Sequence, residues 1–578
     1  MTPAAEYQTR LADRQATAAL HDGRHITLGN VRLLIAIAAA AAAWMSLVNH
    51  AFNPAWIFAP IAVFLPLIPI HGRVLRQRTL ARRAILFYER GLARIEDRWS
   101  DWGEQGVRFQ DPNHPYSGDL DIFGPTSLFQ LLSQARTRGG EDTLAHWLQH
   151  PANADVIRRR QHSVNELRGY LDLRETLFTL GEDARDTVHS GHLIHWAESP
   201  LILDSRRLRL SAALLSAGMA GAVLTVLYTD FNGALAIMLS IVGAFGYWLR
   251  NRVLAVITRV DEAVQELGLL EATLAAIEKH PFESPHLVDL RQRLTASEPI
   301  AKLHRLAELI DSRDNPILRA FGPPLLYGTH LAFAVERWRA RHGPSVRGWL
   351  DAVSEMEALL SLAGYAAEHP EDPFPEIVEE HIFEGHQMGH PLLPGCVRNS
   401  IRLDEAASLI CISGSNMSGK STFLRTTGIN VVLAMAGAPV RAKRLRLCPL
   451  QVGAAIRVTD SLQGGTSRFY AELKRLRQIV DLTAKPFPVL FLLDELLSGT
   501  NSHDRRIGAE GIVRELLRRH TLGLITTHDL ALTAIAKDNA HFEDTLVDGQ
   551  LHFEFTLRPG VVQKSNALEL MRSIGLNV

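Results

Sequence analysis

At 578 residues the chain is too long for a single hydrophobic core, so several structural units are expected. Its 61 Lys and Arg against 62 Asp and Glu leave a formal net charge of -1, which excludes a global basic field for packaging nucleic acid; any DNA contact has to be local. Cys396, Cys411 and Cys448 are too few and too irregular for a disulfide framework or a Cys-x-x-Cys metal site, and read as small core residues in a reducing compartment.

In chain order, residues 1–30 read as a polar N-terminal tail, and residues 31–72 as a first transmembrane hairpin. No charge occurs from Leu33 to Val48, Asn49 to Pro54 make a turn, and a second apolar run from Ala55 to Ile70 is broken only by Pro60, Pro66 and Pro69. Residues 73–209 are polar. Residues 210–250 form a second hairpin, in which Leu210–Tyr228 and Phe231–Leu249 meet at Thr229-Asp230.

Arginines flank both hairpins: Arg24 and Arg32, then Arg73, Arg76, Arg78, Arg82 and Arg83, then Arg206, Arg207 and Arg209, then Arg250 and Arg252. By the positive-inside bias all the large polar segments face the cytoplasm. A polar stretch precedes the first run and no small-residue cleavage site ends it, so an anchor is expected rather than a cleaved leader. The competing reading is two hairpins buried in a soluble core. The spans carry no charged pathway, which argues against transport of ions or polar solutes.

Residues 251–375 open with apolar residues at helical spacing (Val253, Val256, Val260, Val264, Leu267, Leu270, Leu274, Ile277), which predicts a long packed helix. Residues 376–578 hold the chemistry. The strand Leu409–Ile412 runs into Gly414, Ser415, Asn416, Met417, Ser418, Gly419, Lys420, Ser421 and Thr422, which fits G-x-x-x-x-G-K-[ST]. In such a loop backbone N–H groups wrap phosphates, Lys420 reaches the β and γ oxygens, and Ser421 can ligate Mg²⁺ at the start of the following helix. The apolar strand Val489–Leu493 ends in Asp494, a second Mg²⁺ ligand, and Glu495, placed to orient or deprotonate an attacking water. A third strand, Leu522–Thr527, ends at His528, where an imidazole can sense a γ-phosphate.

These blocks resemble the MutS family of DNA mismatch-repair ATPases, of the ABC-type P-loop group. The Gly414–Thr422 loop is similar to the family's GPNMGGKST, residues 460–472 to its signature loop, Leu493–Asp504 to LLDELGRGTSTxDG, Thr526-Thr527-His528 to its T-T-H switch, and Ser565–Leu576 to its C-terminal helix. Upstream, Leu120–Phe129, Thr143–Pro151, Ile157–Leu167, Glu357–Ala363 and Gly389-His390-Pro391 resemble the family's helical core and its approach to the ATPase.

The resemblance implies a multidomain α and α/β chain: a helical core and lever, in parts 73–209 and 251–375, interrupted by the membrane hairpins, then a P-loop ATPase domain over 376–578. It implies ATP and Mg²⁺ as cofactors and a homodimer in which Ser467 faces the partner's γ-phosphate in trans beside Glu495 and His528. It also implies DNA as a partner.

The departures bear on that last point. Phe87-Tyr88-Glu89 spells the family's mismatch-wedging Phe-x-Glu but sits in a helical window after the first hairpin. No room is seen for a mismatch-recognition or connector domain, no strand-rich clamp between 253 and 365, and no C-terminal dimerisation motif. Two alternatives stand beside a DNA-coupled ATPase: an ABC-like machine acting on a membrane protein or lipid, and a nucleotide-switched scaffold, against which Glu495 argues.

Overall fold

A computed structural model describes all residues except 1, 48–52, 54, 55, 57, 182–189, 230, 231, 313, 314, 416, 458–467, 498–501, 548, 549 and 563–578. The N-terminal stretch is not a free tail. Helix α1 (Pro3–Leu47) runs unbroken from the polar segment into the first apolar run and lies against α2 (Phe58–Ile95), which carries the second run. The polar half is helical because it is docked. Tyr7 packs edge-on to Tyr88 at 5.5 Å between ring centres, and Gly91 of α2 gives it room, since a Cβ there would collide with the Tyr7 ring. Asp22 accepts from Arg78 and Arg82 across the pair. Phe87 and Tyr88 are buried, Phe87 against Phe178 at 5.1 Å, so the Phe-x-Glu triplet is packing material.

The helical core follows: α3 (Leu128–Leu132), α4 (Arg138–Gln149), α5 (Ala154–Leu167), α6 (Leu171–Gly181) and α7 (Ser190–Glu198). Ser127, Thr137 and Asn153 cap α3, α4 and α5 by accepting from Gln130 N, Gly140 N and Val156 N. Helix α8 (Arg206–Tyr228) is the first arm of the second hairpin.

The second arm does not stop at residue 250. It continues as one 47-residue helix, α9 (Gly233–Lys279), so the span and the predicted lever are a single rod. All eight residues of the periodic stripe are buried. The core is completed by α10 (Pro285–Arg293), α11 (Ser297–Asp311), α12 (Pro316–Phe321) and the 42-residue α13 (Tyr327–Glu368). Among the described residues no strand lies between 253 and 365.

Four helices are long and apolar enough to cross a membrane, and their apolar windows are only 0%, 6%, 17% and 11% buried by the rest of the chain. The competing reading of hairpins inside a soluble core therefore does not hold. Leu33, Ile37, Trp44, Leu214, Leu227 and Ile237 all stand bare.

The C-terminal unit has two sheets. The smaller, in the order β1 (Glu376–Ile377), β5 (Arg444–Leu447), β2 (Phe383–Met388), β3 (Asn399–Leu403), flanks the larger, whose order is β10 (Gln550–Pro559), β9 (Asp538–Val547), β4 (Leu409–Ser413), β8 (Leu522–Thr527), β7 (Val489–Asp494), β6 (Gln451–Ala455). Only the β9–β10 pair of the larger sheet is antiparallel. Helices α14 (Lys420–Ala436), α15 (Arg468–Leu482) and α16 (Ser502–Leu517) follow β4, precede β7 and precede β8. The core reaches into this unit through residues 112–121. The buried Asp119 carboxylate accepts from Ile456 N at 2.8 Å and Arg457 N at 2.7 Å, and Leu120 packs on Gly428 of α14.

Within the core, Glu357 of α13 accepts from Thr137 N at 3.0 Å and Thr137 Oγ1 at 2.7 Å, which orients the cap of α4. Burial raises the Glu357 carboxyl to about 7, against those hydrogen bonds. A carboxyl raised in the folded state holds a proton that the unfolded chain releases in the ordinary carboxylate range. Its contribution to stability is thus present below that range and is lost as pH rises towards about 7. Glu357→Gln cannot ionise. Between about pH 5 and pH 8 its melting temperature is expected to fall by roughly half as much as that of the parent chain, and parallel profiles would refute this source of pH dependence.

Candidate nucleotide site

The site forms where β4, β7 and β8 end together. Their parallel register sets Ser413 beside Thr527 and Asp494 beside Thr526, so the residues after each strand converge on one edge. The loop after β4 needs glycine at its ends. Gly414 has φ +154° with Ser418 Oγ and Phe542 O crowding its Cβ position, and Gly419 caps α14 at φ +101°.

Lys420, the first residue of α14, is buried. Its ammonium donates to Gly414 O at 3.0 Å and Ser415 O at 2.7 Å, and lies 3.5 Å from His528 Nε2. Burial lowers its pKa, while Glu495, Asp494 and Asp544 pull the other way. A desolvated cation beside acidic groups, at the positive end of a helix, is suited to an anionic ligand. The hydroxyls of Ser415 and Ser418 are buried with no hydrogen-bond partner among the described residues. Such donors fit the phosphate oxygens of a nucleotide.

In the residue after Lys420, Ser421, Oγ donates to Asp494 Oδ2 at 2.5 Å, and Thr526 Oγ1 donates to Asp494 Oδ1. Two oxygens on neighbouring elements, one anionic, fit a Mg²⁺ held partly by water. Glu495 has left-handed backbone (φ 48°), which turns its side chain off the strand, and its N–H donates to Thr526 O at 3.2 Å. Its carboxylate Oε1 meets His528 Nε2 at 2.5 Å. The turn after it is held by Leu497 N donating to Glu472 Oε1 at 2.6 Å and by Arg505 Nε donating to Leu496 O at 3.0 Å.

The structure thus brings together Lys420, Ser421, Asp494, Glu495 and His528, with Thr422 on the wall of the adjoining cavity. Met417 belongs to the loop and lines the mouth of that cavity with its side chain 83% exposed. Asn416 and Ser467 lie outside the described residues, as do most of the signature-like loop and the Ser565–Leu576 segment.

Sequence reasoning assigns no role to the far end of the site. A cavity of about 410 Å³ extends from Lys420 and Glu495 to Met388, Cys396, Asn399, Phe542 and Phe555. Phe555 sits in a bulge of β10 with φ 53°, and its ring lies over Gly419. Asn399 fixes the bulge by donating to Phe555 O at 2.9 Å and accepting from Leu557 N at 2.8 Å. His552–Leu557 alternates polar and apolar residues without a break, so the sequence carries no signal of the bulge.

Residues 410–577 match the family described as MutS domain V. The protein named Endonuclease MutS2 of Thermus thermophilus is 35% identical over 201 residues, 34% of this chain and 26% of that protein. The DNA mismatch repair protein MutS of Thermus caldophilus is 30% identical over 321 residues, 53% of this chain and 36% of that protein. The chain spans no more than 26% and 36% of these relatives in the matched regions. The likeness to MutS-family proteins thus takes in the C-terminal domain, over residues 410–577.

Proposed function

We propose that this protein is a membrane-anchored ATPase that hydrolyses ATP at a site completed by a second copy of the chain and couples turnover to DNA. The observation that carries the ATPase reading is the convergence of Lys420, the Ser421–Asp494 pair and the Glu495–His528 pair at the ends of three parallel strands. In this reading the loop amides and the Lys420 ammonium bind the triphosphate, with phosphate oxygens replacing the Gly414 and Ser415 carbonyls as partners of the lysine. Ser421 and Asp494 would hold Mg²⁺, which neutralises charge on the β and γ oxygens when bound.

Glu495 accepts a proton from the attacking water, and His528 orients that carboxylate through their hydrogen bond. The nucleobase lies in the cavity against Phe555. The partner's signature-like loop, with Ser467, supplies the remaining contacts. That arrangement follows the family resemblance, and so does the coupling to DNA.

A second reading is favoured by one observation. Helix α9 is continuous from the apolar span into the core, so force applied to the core reaches the hairpin without a joint. In that reading the engine acts on a partner in the membrane.

Glu495→Gln is expected to retain ATP binding and lose at least about 100-fold in turnover, measured as steady-state ATPase of the detergent-solubilised chain. Unchanged turnover would sink the role given to Glu495. Assayed with homoduplex, mismatched and branched DNA at two salt concentrations, stimulation that weakens as salt rises supports the DNA-coupled reading, and indifference to every DNA supports the membrane-partner reading. Phe555→Ala is expected to weaken ATP binding by about 5- to 10-fold through lost stacking, with kcat at saturating ATP within about twofold. An unaltered ATP affinity would remove Phe555 from the site.

A further inference from the structure

A second cavity of about 410 Å³ lies far from the nucleotide, where α9 leaves its apolar run. Its walls come from Gly246, Arg250 and Val253 of α9, from Leu318 and Arg319 of α12, and from Leu326 just before α13. The depth of this groove follows from the contacts around it. Leu326 packs on Gly246, about one turn inside the last apolar residue of the span, Leu249. On the facing arm, Ser216 Oγ donates to Leu325 O at 2.9 Å, and Ser216 is about 9 Å along α8 from the first residue of its apolar run, Leu210.

The Pro323–Leu326 stretch is therefore carried by the core to a level inside the apolar ends of both arms. Phe321 and Leu325 beside it are 67% and 45% exposed, although α12 belongs to the polar part of the chain. Tyr247 and Trp248 are exposed at the same height on α9. Amphipathic aromatic rings gather at the headgroup level of a bilayer, and short apolar segments carried by a soluble domain dip into the same zone.

Charge completes the description. Arg250 and Arg319 line the groove, both exposed, and neither has a carboxylate partner among the described residues. By contrast, Arg252, two residues further on, lies over the Trp248 ring at 5.5 Å. The groove thus offers an apolar floor at the level of acyl chains and two cations at the level of phosphates. A zwitterionic lipid gains little from two positive groups, whereas an anionic one gains from both.

We propose that the groove between α9, α12 and the start of α13 binds an anionic phospholipid, its phosphate held by Arg250 and Arg319 and its acyl region lying along Gly246, Leu318 and Leu326. This assignment rests on the membrane-anchored reading. It ties the base of the α9 rod to the surrounding leaflet, which places lipid composition in contact with the helix that leaves the hairpin.

The test uses the full chain in mild detergent and phosphatidylglycerol as probe, with phosphatidylcholine as comparison, read by native mass spectrometry and by titration of a tail-labelled lipid. The parent chain is expected to retain phosphatidylglycerol over phosphatidylcholine, with a preference that shrinks as salt rises from about 0.05 to 0.5 M. Arg250→Gln with Arg319→Gln is expected to weaken phosphatidylglycerol binding about tenfold or more, while Arg252→Gln and ATP binding stay within about twofold. The salt series needs no variant and tests the proposal even if the double substitution does not fold.

Equal retention of the two lipids by the parent chain, or unchanged binding in a folded double variant, overturns the proposal while leaving the membrane reading intact. Displacement of the lipid by millimolar inorganic phosphate alone also overturns it, in favour of a free-anion site. Release of the parent chain from membranes by alkaline carbonate overturns the membrane reading and the proposal together.

Discussion

The arrangement of the whole molecule depends on the buried charges of α13. Glu336 takes the amides of Ile202 at 2.6 Å and Leu203 at 3.1 Å, in the loop that leads to the second hairpin, and Arg339, paired with Glu336 at 2.5 Å, donates to Ser199 O at 2.7 Å. Glu357 orients the cap of α4. Glu368 receives both arms of the Arg94 guanidinium, from the end of the first hairpin's second helix, at 2.6 Å. Each charge is withdrawn from water and each has its partner on a different part of the chain. An unpartnered charge at any of these depths costs several kcal/mol, so the pairs set position more than they add net stability.

This geometry has a mechanical consequence. Just beyond α13, Arg441 of the C-terminal unit meets the buried Asp372 at 3.3 Å, and Val440 N donates to Pro373 O, so the helix enters that unit through a fixed joint. Arg94 lies next to that joint, and α2 carries the first hairpin. The loop held by Glu336 and Arg339 leads directly into α8, and α9 packs along α13 and α11 as it leaves its apolar run. Both hairpins are thus referred to one rod whose far end is joined to the C-terminal unit. Close-packed interiors move as bodies rather than stretch, so a change in that unit that shifts α13 shifts the bases of both hairpins with it.

The parts legible in the sequence are those whose physics is local. A glycine loop between a strand and a helix, an apolar strand ending in two acids and a helical stripe from Val253 to Ile277 each depend on a dozen neighbouring residues. The parts that are not legible depend on distant partners. Nothing near Glu368 indicates Arg94, 274 positions away, and nothing in the first 30 residues indicates that Tyr7 slots against Tyr88. The continuity of α9 is hidden for a different reason: hydropathy marks where a span ends, not where a helix ends, so the apolar run and the stripe that begins at Val253 read as separate elements. Phe555 escapes because a left-handed non-glycine residue carries no composition signal of its own.

The arginines give the last step. In the sequence, those beside the hairpins read as topology signals. Of these, Arg78 and Arg82 pair with Asp22, and Arg83 donates to Thr179 O at 3.1 Å. A guanidinium already paired within the chain is less able to release counterions from a phosphate backbone, so these three add little to the salt-dependent term of DNA affinity. Arg250 and Arg319 line the groove at the base of the α9 span and have no carboxylate partner among the described residues. In the lipid-binding proposal above that pair serves phosphates in a bilayer, and the proposed coupling to DNA would then draw on other surfaces of the molecule or on a second copy of the chain.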